Sequence, residues 1–162
     1  MNNRILIALA CAALGIGVRI IGFSQGWNIS VSTQFYLLAI LVSVFLGIRS
    51  IGILGEKSFG KLLKAGLQSG IITTVLVSAY TYVHYAFVDV TYFGNKIIDR
   101  MEALKEQGLT LEQLTLQEEN ARFIFSPSTH ATFTLAGFLI STIIYGLLST
   151  FLYKKVAAFS KF

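Results

Sequence analysis

Few side chains in this sequence are equipped for chemistry, and most of them gather around one histidine. His84 stands amid Tyr80, Tyr82, Tyr85 and Tyr92, with Asp89 close behind. On a helix Tyr85 and Asp89 are i, i+4 neighbours, and His84 shares a face with Tyr80. An imidazole beside phenols and a carboxylate can bind a polar headgroup or move a proton, because histidine titrates near neutral pH. The same residues equally compose an aromatic belt whose amphipathic tips sit at a membrane–water interface. His130, next to Thr129, joins the group if the segments carrying the two histidines are neighbours. Arg19 is the remaining member of this polar cluster. It lies near the end of an apolar run, and its long stem can snorkel to headgroups, pair with Asp89 or face an anionic headgroup as its ligand.

Other reactive residue types lead nowhere. Ser126, Ser128 and Ser141 have no general base at a readable spacing. Cys11 is the single cysteine, which excludes an intrachain disulfide and a thiolate zinc site. The histidines and Asp89 have no metal-ligand spacing, and the glycine pairs Gly52/Gly55 and Gly66/Gly70 lack the lysine and the strand-to-helix setting of a phosphate loop. No catalytic, cofactor-binding or metal-ligating residue is therefore expected, and no cofactor.

The elements that must position the cluster are apolar helices. Of 162 residues 54% are hydrophobic and 13% charged, too little polar surface for a soluble globule of this size. Four apolar stretches run roughly 5–23, 35–53, 67–88 and 133–153. About 20 apolar residues in a helix span a hydrocarbon core about 30 Å thick. The expected fold is all-α, an integral membrane bundle of four transmembrane helices forming a single domain over 1–162, with a helical hairpin at about 90–126 outside the cytoplasm. The first run continues through Ile20, Ile21 and Phe23, longer than a signal-peptide core, and reads as a retained helix.

Charge sets the expected orientation. One side of the four spans carries Arg4, Arg49, Lys57, Lys61, Lys64, Lys154, Lys155 and Lys161, with Glu56 as its acid. The other carries Lys96, Arg100, Lys105 and Arg122 against seven carboxylates, Asp89, Asp99, Glu102, Glu106, Glu112, Glu118 and Glu119. By the positive-inside rule both termini are cytoplasmic, in a bacterial inner membrane, and the net charge of +5 needs no nucleic-acid partner. The uncharged segment Ser24 to Gln34, with Trp27, reads as a tight outer turn. In the inner loop, Leu54 to Gly66, the spacing of Lys57, Lys61 and Lys64 predicts one shared helical face that meets anionic lipid headgroups.

The hairpin has its own signals. Ile97, Ile98, Met101 and Leu104 form an apolar stripe on a helix that continues from the third span and stops at Gly108. Thr110 with Gln113 makes a capping box for a second helix presenting Leu111, Leu114, Ala121 and Phe125, interrupted by Glu118. Ser126-Pro127 ends it and opens the fourth span. The pairs Gly22/Gly26, Gly66/Gly70, Gly137/Ser141 and Gly146/Thr150 read as small-residue surfaces for close helix packing.

Ser58-Phe59-Gly60-Lys61, Lys64-Ala65-Gly66-Leu67, the tyrosine-rich outer end, the amphipathic segment with Gly108 and a final span closing on Lys154-Lys155 resemble domain of unknown function 4199, a family of small membrane proteins from Bacteroidota and relatives. The resemblance covers nearly the whole chain. It implies a four-helix inner-membrane protein with no established activity and no catalytic residues to carry over, and loosely associates the chain with membrane glycosyltransferases. The stretch Phe125 to His130 is more polar than that family suggests, so a role for His130 does not follow from the resemblance.

The function these features favour is non-enzymatic: an accessory or scaffold subunit that binds a membrane partner or lipid. The alternatives are a small transporter or lipid-handling protein using Arg19, His84, Asp89 and His130, and a membrane enzyme acting on a headgroup.

Overall fold

A computed structural model describes residues 3–156; Lys161, counted above with the basic side, lies outside them. The described residues are helical, in the order α1 (Asn3–Ser24), α2 (Ile29–Gly52), α3 (Phe59–Val83), a π-helical turn (His84–Val88), α4 (Tyr92–Glu106), α5 (Leu111–Ile124) and α6 (Pro127–Lys155). Four stretches are long and apolar enough to cross a bilayer: α1, α2, α3 with the π turn, and α6. That is the organisation of a multi-pass membrane protein. The chain forms two compact units. One contains α1, α2, α3 through Val77 and α6 from Leu135; the other runs from Ser78 to Thr134.

Two helices start earlier than their apolar runs. The α2 helix begins at Ile29, because the Asn28 side chain accepts the N–H of Ser30 at 2.9 Å and caps it. The polar residues Ser32, Thr33 and Gln34 are thus helical, and the outer turn shrinks to the residues around Gly26 (φ +67°) and Trp27. The α3 helix begins at Phe59, where the Glu56 carboxylate accepts the N–H groups of Lys57 and Ser58 at 3.1 and 2.8 Å. Lys61 and Lys64 are therefore on the helix while Lys57 lies before it, so the expected shared face of three lysines is corrected to two.

The first unit buries hydroxyl groups within an apolar core and turns further large apolar side chains outward, as lipid allows. Its buried side chains include Ser43, Ser69, Thr73, Thr74, Thr142 and Thr150, while Leu14, Ile20, Ile143, Leu148 and Phe151 face outward. Three hydroxyls link three helices. Thr73 donates to Ser43 at 2.7 Å, Ser43 contacts Ser69 at 2.8 Å, and Ser69 donates to the carbonyl of Arg4 at 3.3 Å. The Thr73 hydroxyl also lies within hydrogen-bond distance of the Ala8 carbonyl at 3.3 Å and the Ser69 carbonyl at 3.1 Å, so these groups tie α3 to α2 and to the backbone of α1. Around them Tyr36, Ile40, Val44, Ile48, Leu62, Phe138 and Tyr153 form the apolar core.

Glycines let these helices approach. A methyl group on Gly47 would come within 2.8 Å of the Ala65 carbonyl oxygen, one on Gly66 within 3.1 Å of the Val44 carbonyl, one on Gly70 within 2.7 Å of Thr142 and one on Gly146 within 2.8 Å of Leu67. The expected Gly66/Gly70 and Gly146/Thr150 surfaces are thus packing surfaces. The other two pairs are corrected. Gly26 serves the outer turn with open space around it, and Gly137 likewise meets nothing.

In the second unit, the amphipathic helix does not continue from the third span. The α-helix passes into a π turn that closes with the Asp89 N–H on the His84 carbonyl at 2.8 Å, and Asp89 then leaves helical geometry (φ −107°, ψ 62°). A turn at Val90 and Thr91 precedes the start of α4. Between α4 and α5, Gly108 adopts φ +77°, and the Thr110/Gln113 capping box is complete, with bonds of 3.0 and 3.4 Å. Ser126 caps α6 by accepting the N–H of Thr129, and Pro127 fills its first turn.

Candidate functional site

His84 and His130 meet on one ring. Tyr85, the residue after His84 in the π turn, has the His84 imidazole edge-on at a centroid distance of 5.2 Å and the His130 imidazole edge-on at 5.1 Å. Phe93, at the start of α4, closes the group at 4.9 Å from Tyr85 and 5.5 Å from His130, and Tyr92 stacks at a tilt 5.0 Å from Tyr85. Tyr80 lies 5.9 Å from His84, the one-turn contact expected of their spacing. These separations and angles are those of packed aromatic rings.

The π turn creates this arrangement. One residue more per turn rotates the chain after His84, so His84 and Tyr85 both turn inward: His84 is 1% and Tyr85 3% exposed. The sequence periodicity paired Tyr85 with Asp89, whereas the structure centres the group on Tyr85 and ties Asp89 to His84 through the backbone. Tyr82 is not part of the group; it is exposed on the outer surface of the helix. Phe93 is the member that sequence reasoning missed. Its signal was its place in an aromatic pair, Tyr92-Phe93, directly after the break at Asp89.

Arg19 belongs to the first unit. It is 6% exposed, donates to the Ser32 hydroxyl at 3.4 Å and holds its guanidinium 5.9 Å from the Phe23 ring centroid. Its charge is therefore lodged among protein groups instead of lying along the apolar surface that lipid covers, and Ser32 can reach it only because α2 starts at Ile29.

The basic residues divide by environment. Lys61 forms an ion pair with Glu56 at 2.8 Å, and this amine together with the Ser58 N–H holds the Glu56 carboxyl below the usual glutamate range. Lys64, on the same helical face as Lys61, is exposed, as is Lys57 in the loop before the helix. In the second unit Arg122 pairs with Glu118 one turn away at 2.7 Å.

Apolar residues on α5 form a further surface. Leu116 and Phe123, two turns apart on one face, are 58% and 75% exposed, and Ile124 beside them is 52% exposed. Glu112 and Glu119, also exposed, share this face, with Glu119 between Leu116 and Phe123. The α4–α5 pair leaves a groove of about 350 Å³ lined by Ile97, Ile98 and Met101 along with Glu118 and Arg122. Sequence reading had placed the apolar side of α5 on Leu111, Leu114, Ala121 and Phe125. Of these Ala121 is buried, and Leu111 is almost fully exposed.

The family model Protein of unknown function (DUF4199) matches residues 5–155, and the chain belongs to that family. No curated protein and no solved structure matches it.

Proposed function

We propose that this protein is a non-enzymatic accessory subunit of the membrane, which uses its α4–α5 hairpin to hold a partner membrane protein. The observation that carries this reading is the Leu116–Phe123–Ile124 seam. It lies on a helix that is not itself among the four apolar spans, yet it exposes three large apolar side chains, with Glu119 between Leu116 and Phe123 on their face. Large apolar side chains exposed on a polar element mark an interaction surface.

The choice of protein over lipid follows from charge. Helices that lie in a membrane interface carry Lys and Arg beside their apolar face and are drawn to anionic headgroups. Here the charged residues on the face itself are Glu112 and Glu119, and the segment from Asp89 to Arg122 has seven carboxylates against four bases. A partner with an apolar centre and a basic rim is the complement. The basic residues at the other helix ends, read by the positive-inside rule, support placing this segment outside the cytoplasm in a bacterial inner membrane.

The aromatic packing of His84 and His130 on Tyr85 supports a structural role for the cluster, since interlocked rings leave little room for a headgroup or a substrate. The test is native purification of the full chain, tagged at its C-terminus, beside a Leu116→Asn/Phe123→Asn variant. A stoichiometric membrane protein that accompanies the native chain and is lost from the variant supports the proposal; recovery of the same protein with both, or of lipid alone, contradicts it.

A further inference from the structure

At the end of the first unit where α1 begins, α2 ends and α3 begins, the surface opens into a cleft of about 600 Å³. Three cations line it: Arg4 from α1, and Lys61 and Lys64 from α3. Glu56 is the one carboxylate present, so the cleft carries a net excess of two positive charges. Lys57, which the sequence grouped with these lysines, is not in the lining, and Arg4 and Gln68, which it did not, are.

The cations are arranged and not merely near one another. Lys61, Lys64 and Gln68 follow at i, i+3 and i+7, along one face of α3. The Gln68 side-chain carbonyl accepts a hydrogen bond from the Arg4 guanidinium, which fixes that group against α3. The Arg4 backbone is itself held, its carbonyl accepting from Ser69 at 3.3 Å. Glu56 has its carboxylate engaged by two backbone N–H groups and the Lys61 amine. Lys64 stands one turn before Gln68 on the same face of α3 and is exposed.

The remaining wall is apolar. Ile51 lines the cleft, and so does Leu54, which is 81% exposed. A free phosphate would gain nothing from these two side chains. A phosphoglyceride places its glycerol and acyl carbons directly beside its phosphate, and matches a basic wall and an apolar wall in one cleft. The cleft also falls at the ends of apolar spans, and basic pockets between transmembrane helices bind anionic headgroups.

We infer that this cleft is a binding site for the phosphate headgroup of an anionic phospholipid, with Arg4 and Lys64 as its principal ligands. The inference is independent of the hairpin's partner. Each basic side chain near a headgroup contributes about 1 kcal/mol, which corresponds to about a fivefold change in affinity.

The experiment is titration of the detergent-solubilised full chain with short-chain phosphatidylglycerol, short-chain phosphatidylcholine and inorganic phosphate, read by native mass spectrometry. Lys64→Gln should weaken phosphatidylglycerol binding about fivefold, and Arg4→Gln/Lys64→Gln about 25-fold. Lys154→Gln, outside the cleft, should leave it unchanged within about twofold. Lys64 is a surface residue, so its single variant keeps the test open if the double variant does not fold. Equal affinity for the two lipids, displacement by millimolar phosphate, or an equal loss in Lys154→Gln would each overturn the inference.

Discussion

The hydroxyl of Thr74 on α3 meets that of Thr142 on α6 at 2.9 Å, with both residues fully buried. Thr142 donates its own proton to the Phe138 carbonyl one turn back, at 2.8 Å, so Thr74 is the donor across the helix pair. Bonds of this kind between transmembrane helices average about 0.6 kcal/mol and reach about 1.7 kcal/mol. A double-mutant cycle of Thr74→Val and Thr142→Val, measured by reversible unfolding in micelles, should give a coupling in that range. A coupling of zero would show that the contact follows from packing and contributes nothing of its own.

Glycine substitutions should separate packed from open positions. In Gly47→Ala the new methyl meets the Ala65 carbonyl oxygen, a backbone atom that cannot swing away. The expected loss is about 1–3 kcal/mol, the usual cost of overpacking. Gly137→Ala, whose methyl would meet nothing, should stay within about 0.5 kcal/mol of the native chain. Equal effects at the two positions would contradict the helix approach described here.

Gly108 and Thr110 hold the hairpin turn. At φ +77° an alanine is strained, so Gly108→Ala should cost about 1 kcal/mol, and Thr110→Ala, which removes half of the capping box, about 1 kcal/mol as well. Hydrogen exchange should report both changes as faster exchange at the start of α5 and the end of α4, with α1–α3 unaffected.

The Glu56–Lys61 pair predicts a dependence on acid. A carboxyl held below its unfolded value contributes stability above that value and loses it as pH falls through the folded value. The contribution of Glu56 is therefore complete at neutral pH and disappears on acidification below about 4.5, its ordinary value. Thermal melts of native and Glu56→Gln chains should differ at neutral pH and converge in acid. A gap that persists unchanged into acid would assign the effect of the substitution to something other than this carboxylate.

Much of the architecture was legible because lipid imposes long apolar runs and because caps have local signatures. Gly108, the Thr110/Gln113 box and Pro127 are local rules, and each holds in the structure. The start of α2 was hidden because Ser30, Ser32, Thr33 and Gln34 read as a loop, although Ser32 is buried against Arg19. The π turn was hidden for a different reason. A single extra residue in a turn leaves the composition of a helix unchanged and alters only the phase, so Tyr85 was assigned to the face of Asp89 when it faces the two histidines. The cleft with Arg4 and Gln68 depends on residues 64 positions apart, which no local pattern connects.

The most direct test of the accessory reading is a photocrosslinking amino acid placed at Phe123 in intact cells, with a second at Asn95 on α4 as a control. The proposal predicts one discrete protein adduct from position 123 and none from position 95. Adducts to lipid alone, or the same mixture of adducts from both positions, would contradict it.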